Sequence, residues 1–108
     1  MKNYDVAIIG LGPTGGTLAN LIGLGGFSVI VLDKEKSFYP LPRAVHFDDE
    51  VMRVFQTIGI TNSFLNHTII NKGTKFVNSK GKVILDWPRP RKVTENGWYP
   101  SYRFNQPD

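Results

Sequence analysis

The feature that most restricts this chain is the run "VAIIGLGPTGGTLAN" beginning at Val6. In it Gly10, Gly12 and Gly15 are spaced G-x-G-x-x-G between an apolar run and a helix-like one. Residues 4–9, with Val6, Ala7, Ile8 and Ile9 apolar in succession, read as a short buried strand. Pro13 suits the first turn of a helix, where its missing N–H would be unpaired in any case. Leu18, Leu21 and Ile22 follow at helical spacing until Gly25 and Gly26 supply a stop. Residues 28–32, "SVIVL", are mostly β-branched and apolar, as a central parallel strand requires. Strand, helix and strand within about 30 residues make a βαβ unit, whose crossover is expected to be right-handed.

Each glycine has a physical task in such a unit. Gly10 lets the chain turn tightly out of the strand. Gly12, lacking a Cβ, lets the backbone approach a pyrophosphate, and Gly15 lets the helix pack close to the strand. The helix opens at Pro13 and Thr14, and its dipole and the free N–H groups that follow Pro13 favour phosphate charge. Asp33 ends the second strand about 20 residues on, where a carboxylate accepts hydrogen bonds from ribose hydroxyls. The whole run reads as a dinucleotide cradle; a tight turn beside an ordinary strand-end aspartate is the plainer alternative. Asp33 disfavours a 2′-phosphate, so NADP fits less well, while the residues alone leave NAD and FAD open.

Beyond this unit, "KSFYPLPRAVHF" reads as a proline-broken loop. Asp48 is a candidate N-cap for a helix carrying Val51, Val54, Phe55 and Ile58 and closed by Gly59. Thr61 is expected to cap a further short turn holding Phe64 and Leu65. Residues 75–77 and 83–87 form a hairpin around Ser79, Lys80 and Gly81, and the remainder, rich in proline and aromatics, reads as irregular. The expected organisation is therefore 1–72 as the N-terminal part of a cofactor-binding domain and 73–108 as a hairpin and irregular segment.

Composition removes several classes. The chain has no cysteine, hence no disulfide, thiolate metal site or cysteine nucleophile, and no metal site is expected. The net charge of +4 owes part of its excess to Arg89, Arg91 and Lys92, which read as a solvated loop. No basic face or binding motif accompanies them, so no nucleic-acid partner is expected. Asp5 precedes the apolar start, and Gly10, Gly12 and Pro13 interrupt it too early for a signal peptide. No segment is long enough to span a bilayer. The expectation is a soluble, cytoplasmic chain without a membrane partner. His46 and His67 read as structural, and Asp48 and Asp49 as helix-terminal groups rather than an acid–base pair. No residue is assigned a catalytic role.

Taken in order, "DVAIIGLGPTGGTLANLIGLGGFSVIVLDKE", "YPLPRAVHFDDEVMRVFQTIGI" and "YRFNQPD" resemble the beginning of a class A flavoprotein aromatic hydroxylase, of the 3-(3-hydroxyphenyl)propionate hydroxylase and phenol hydroxylase type. The likeness runs over essentially the whole chain, hairpin included. The G-x-G-P-x-G form is typical of FAD members, and "PRA" ahead of a helix opening in "DDE" is more specific than the glycines. The resemblance implies an α/β fold: a Rossmann-like βαβ FAD-binding unit with a β-hairpin segment, incomplete relative to the family. It implies FAD as cofactor, NAD(P)H as reductant, and oxygen-dependent hydroxylation of a small phenol-type aromatic substrate.

Carried over position by position, Gly10, Gly12 and Gly15 contact the pyrophosphate region. Asp33 binds the ribose, one methylene shorter in reach than the glutamate of most relatives, and Lys34 lies near the adenosine. Arg43 resembles the arginine that contacts FAD and swings with the mobile flavin. Gln106 resembles the glutamine that binds the cofactor near its ribityl and phosphate portion. Relatives continue for several hundred residues, through a second pyrophosphate-contacting segment and most of the substrate pocket. These residues are thus expected to be an N-terminal portion that does not hydroxylate alone, with exposed strand edges and a bare hairpin face that favour self-association. Two other readings share part of the pattern. An NAD-dependent dehydrogenase or other two-dinucleotide flavoprotein needs Gly10 to Gly15 and Asp33 but not Arg43 with Gln106. A non-catalytic nucleotide-binding fragment would bind a nucleotide and do no more.

Overall fold

The computed structural model describes residues 2–37 and 39–107, so Phe38 of the proline-broken loop lies outside the described residues. Strand β1 (Val6–Ile9), helix α1 (Pro13–Leu24) and strand β2 (Val29–Leu32) form the βαβ unit, with β1 and β2 parallel from Val6 opposite Val29 to Ile9 opposite Leu32. Both strands start slightly later than their apolar runs suggest. Just ahead of them Asp5 and Ser28 bind each other instead: Asp5 Oδ2 accepts from Ser28 N–H (2.8 Å) and from Ser28 Oγ (2.6 Å).

The chain continues through β3 (His46–Phe47), α2 (Asp49–Thr57), α3 (Thr61–Leu65), β4 (Thr68–Ile70), β5 (Gly73–Val77), β6 (Val83–Pro88) and β7 (Tyr102–Phe104). Asp48 caps α2 as expected, its Oδ1 accepting from Val51 N–H at 3.0 Å, and Gly59 takes the positive φ (+81°) that carries the chain out of the helix. Thr61 does not cap α3. It is the first helical residue, and the N-cap position falls on Ile60, whose backbone (φ −102°, ψ −2°) is already helical. The extended residue that a side-chain cap requires is therefore missing. The hairpin forms where expected, β5 antiparallel to β6 with Gly73 opposite Pro88 and a bulge between Phe76 and Val77. Asn78 Oδ1 organises its turn by accepting from the N–H groups of Lys80 (2.9 Å) and Lys82 (3.0 Å).

A three-stranded antiparallel sheet, ordered β3-β7-β4, replaces what reads as loop and irregular chain. Its register places His46 opposite Arg103 and Arg103 opposite Ile69, with Phe47, Tyr102 and Ile70 in the next row. Strands of two or three residues are too short to show a period. The core lies on the inner face of this sheet. Phe47, Met52 and Tyr102 are buried, and Phe55, Phe64, Leu65, Trp98, Tyr99 and Phe104 pack around them. The βαβ unit is covered less completely: α1 has no buried residue and Ile9 is 81% exposed. The radius of gyration, 17.4 Å, exceeds the roughly 13 Å of a compact domain of this length. Apolar burial is therefore concentrated where α2 and α3 meet the β3-β7-β4 sheet. Among the described residues no helix is long and apolar enough to cross a membrane, and no group of His, Cys, Asp or Glu could hold a metal ion.

Candidate nucleotide-binding site

The glycine loop leaves β1 at Gly10, whose φ of +105° is one that side chains rarely adopt. A Cβ on Gly15 would fall far inside contact distance of the Gly10 carbonyl oxygen, so α1 sits directly against the loop. At Gly12 the opposite holds. A Cβ there would meet nothing within 4 Å, which leaves open space in front of the backbone. Helix α1 begins with Pro13, has no side-chain cap and carries no acidic residue in its first turn. The N–H groups of Thr14 and Gly15 have no acceptor one turn earlier in the helix. An open approach at Gly12 beside a helix N-terminus without negative charge fits the pyrophosphate of a dinucleotide.

Asp33 does more here than a strand-end carboxylate need do. Its Oδ2 accepts from Leu11 N–H in the middle of the glycine loop, and its Oδ1 accepts from Glu35 N–H at 2.8 Å. The side chain ties the loop to the end of β2. The Glu35 amide and then the Leu11 amide hold its carboxyl below the usual aspartate value. Each oxygen keeps a lone pair, so a ribose hydroxyl can still be accepted, while the fixed negative charge opposes a 2′-phosphate. Lys34 is exposed beside it.

Two other carboxylates are lowered for similar reasons: Asp5 by the Ser28 side chain and backbone, and Asp49 by Thr94 and Asn96. A carboxyl whose folded pKa is depressed contributes stability that is complete above its unfolded value, about 3.9. That contribution is lost as pH falls through the lower folded value, because the unfolded chain takes up the proton first. The urea midpoint is accordingly expected to be lower at pH 3 than at pH 6, with Asp33→Asn narrowing the difference. Equal midpoints at the two pH values would show that these hydrogen bonds do not favour the charged forms.

The second group of site residues meets across the sheet. Gln106, just beyond β7, accepts at its Oε1 from Arg43 N–H (2.8 Å) and Ala44 N–H (2.9 Å), just before β3. Phe104 N–H donates to Val45 O at 3.1 Å and closes the same junction. The amide oxygen of Gln106 is thus engaged by backbone, while its NH₂ makes no hydrogen bond among the described residues. The Arg43 guanidinium rests over the Tyr39 ring, Cζ 4.0 Å from the centroid. Arg43 and Gln106 come together, as do the glycines and Asp33; among the described residues no hydrogen bond joins the two groups.

Neither the Leu11 amide as partner of Asp33 nor the Tyr39 ring beneath Arg43 is foreseen by sequence reasoning. The shortness of aspartate is a signal for the first, and nothing marks the second. Asp49 accepts from Thr94 Oγ1 (2.6 Å) and Asn96 Nδ2 (2.8 Å), which ties α2 to the loop before β7. Its carboxylate is occupied by these bonds rather than paired with Asp48. His46 is exposed.

A parallel βαβ unit, a glycine loop opened at Gly12 and a strand-end aspartate tied into that loop define a dinucleotide-binding α/β protein. Comparison with known proteins narrows the class. The family model described as FAD binding domain matches residues 3–107, and the chain belongs to that family. It is 44% identical over 98% of its length to a "Probable NADH-specific resorcinol 4-hydroxylase" of Rhodococcus jostii, of which it covers 20%. It is 42% identical over 95% of its length to a 3-(3-hydroxy-phenyl)propionate/3-hydroxycinnamic acid hydroxylase of Paraburkholderia xenovorans, of which it covers 16%. The chain thus spans about a fifth or less of the length of these relatives. Among solved structures, p-nitrophenol 4-monooxygenase from Pseudomonas putida superposes with a TM-score of 0.73 at 21% identity, over 94% of this chain and 26% of that one. The flavin-dependent monooxygenase PieE does so with a TM-score of 0.75 at 17% identity, over 95% and 20%. At these identities the structures show the shared fold.

Proposed function

We propose that these residues are the FAD-binding N-terminal portion of a cytoplasmic, NAD(P)H- and oxygen-dependent hydroxylase of small phenol-type aromatics. The observation that carries this reading is the clasp of Gln106 on the Arg43–Ala44 backbone. A dehydrogenase sharing the glycine loop has no need of that second group. Relatives named for resorcinol and hydroxyphenylpropionate hydroxylation support the phenolic substrate, and one named NADH-specific supports a nicotinamide reductant. In this reading Gly10, Gly12, Pro13, Thr14 and Gly15 hold the pyrophosphate, and Asp33 takes the ribose with Lys34 nearby. Arg43 and the Gln106 NH₂ meet the more distal part of the cofactor. FAD, when bound, supplies the redox chemistry through which nicotinamide electrons activate oxygen. The chain's own residues bind and orient it.

Fluorescence titration of the chain with FAD and with NADH tests the proposal. FAD is expected to bind more tightly, and Asp33→Ala and Arg43→Ala each to weaken it about tenfold, the worth of one hydrogen bond or contact to a charged group. Preference for NADH, with Arg43→Ala indifferent, would favour the dehydrogenase reading. A folded chain that binds neither would overturn the cradle as a site these residues form.

A further inference from the structure

The turn between β6 and β7 is built around the one asparagine in the sequence that is followed by glycine, Asn96 before Gly97. Thr94 N–H donates to Trp98 O at 2.8 Å and Gly97 N–H donates to Thr94 O at 3.0 Å, while Gly97 takes a φ of +81°. This turn is pinned to both ends of α2. Asp49, the first residue of the helix, accepts from Thr94 Oγ1 and from Asn96 Nδ2. Gln56, in its last turn, accepts at Oε1 from Trp98 Nε1 at 3.1 Å.

An asparagine followed by glycine is also open to attack by its own backbone. The Gly97 amide nitrogen can add to the Asn96 side-chain carbonyl carbon and close a succinimide ring, because glycine has no side chain to obstruct the approach. The Asn96 Nδ2 group leaves as ammonia, carrying the proton lost by the Gly97 amide. Water then opens the ring at one of its two carbonyls, leaving aspartate or, with the backbone rerouted through the side chain, isoaspartate. Nothing is oxidised or reduced, and water is the sole co-reactant.

In the folded chain both reacting groups are held. The hydrogen on the attacking nitrogen is engaged by Thr94 O, and the leaving group is engaged by the Asp49 carboxylate. The site is nevertheless open to water, since Gly97 is exposed and Asn96 only half-buried. We propose that Asn96 is a deamidation site and that Asp49 is its guard, so that the reaction proceeds from the fraction of chains in which the turn has come off α2. The product opposes re-closure. A carboxylate in place of the Asn96 amide removes a donor and sets a second negative charge against Asp49. Isoaspartate also lengthens the backbone inside a turn closed by two hydrogen bonds. Modification therefore loosens the segment that brings Trp98 and Tyr99 to the aromatic core, whichever cofactor the chain binds.

Trypsin releases residues 93–103 as one peptide in which Asn96 is the sole asparagine, so mass spectrometry after incubation at mildly alkaline pH reads its conversion directly. In guanidinium chloride Asn96 is expected to convert faster than any other asparagine, and in the folded chain more slowly than in denaturant. Asp49→Ala is expected to raise the folded-state rate about tenfold, the worth of one hydrogen bond to a charged group, and to leave the denatured rate unchanged. Thr94→Ala, which removes the other bond to Asp49, is expected to raise it too and is the independent check should Asp49→Ala misfold. Asn78, on the tryptic peptide 76–80 from the hairpin turn, is the internal reference and is expected not to respond. Asn96→Asp is expected to lower the urea midpoint further than Asn96→Ala, which loses the same donor without adding charge. A 93–103 peptide that keeps its mass in denaturant would overturn the site. Equal folded-state rates with and without Asp49, or an equal rise at Asn78, would overturn the guard, and equal midpoints for the two Asn96 variants would overturn the release.

Discussion

Gly15→Ala is expected to abolish nucleotide binding and to lower the urea midpoint, whereas Gly12→Ala is expected to impair binding and leave the midpoint unchanged. The difference follows from what each added methyl meets. At Gly15 it collides with the Gly10 carbonyl oxygen, and Ile8 Cγ2 lies 3.4 Å away. The opposing atom is backbone and cannot swing aside, so α1 must retreat from β1 or the loop must deform. Overpacking of this kind costs about 1–3 kcal/mol, and it displaces the Thr14 and Gly15 amides and the Leu11 amide that Asp33 holds. At Gly12 the methyl enters empty space, so folding is indifferent, but that space is where the pyrophosphate is proposed to approach. A titration beside a urea melt separates the two effects. If Gly12→Ala binds FAD as the unsubstituted chain does, the pyrophosphate does not pass over Gly12.

The same contrast shows how far residues declare their roles. The βαβ unit was legible because its determinants are local and sequential: an apolar run, glycines at fixed spacing, Pro13 at a helix start and an aspartate at a strand end. Asp48 was legible for the same reason, since a cap acts within three residues. The β3-β7-β4 sheet was not, because each strand has two or three residues and its partners are distant in the chain. Only "YRF", apolar–charged–apolar, carries the alternation of a strand with one wet face, and three residues are too few to stand out. Resemblance placed Arg43 and Gln106 near a cofactor but could not show that Gln106 spends its oxygen on the Arg43 and Ala44 amides. That bond exists because β7 pairs with β3, a tertiary fact. Likewise Asp33 reads as a ribose ligand, and only the folded loop shows that it also anchors Leu11.

Phe47→Ala is expected to remove about 3–5 kcal/mol of stability, the usual cost of deleting a buried aromatic ring, from a total that for small domains is about 5–15 kcal/mol. Phe47 lies among four rings, with centroids at 5.5 Å for Phe55, 5.4 Å for Phe64, 5.3 Å for Tyr102 and 5.4 Å for Phe104. The cavity left behind would adjoin every one of them, and stiff rings cannot collapse into it as a flexible Met52 could. The effect should reach function through β3, which this ring pins to the core. Arg43 and Ala44 lie just before β3, His46 is its other residue, and Arg103 is held opposite. Loss of the ring should therefore release the Gln106 clasp and the His46–Arg103 row together. No residue of β1, α1 or β2 belongs to the core cluster, so the parallel pair and its glycine loop should outlast the sheet. Hydrogen exchange on the Phe47→Ala chain would show this as lost protection at Tyr102 and Phe104 with protection retained at Ile8 and Ile30, whose amides lie between the paired strands. Simultaneous loss at all four positions would mean that the cradle depends on the aromatic core, and that the two halves of the site fold as one cooperative unit.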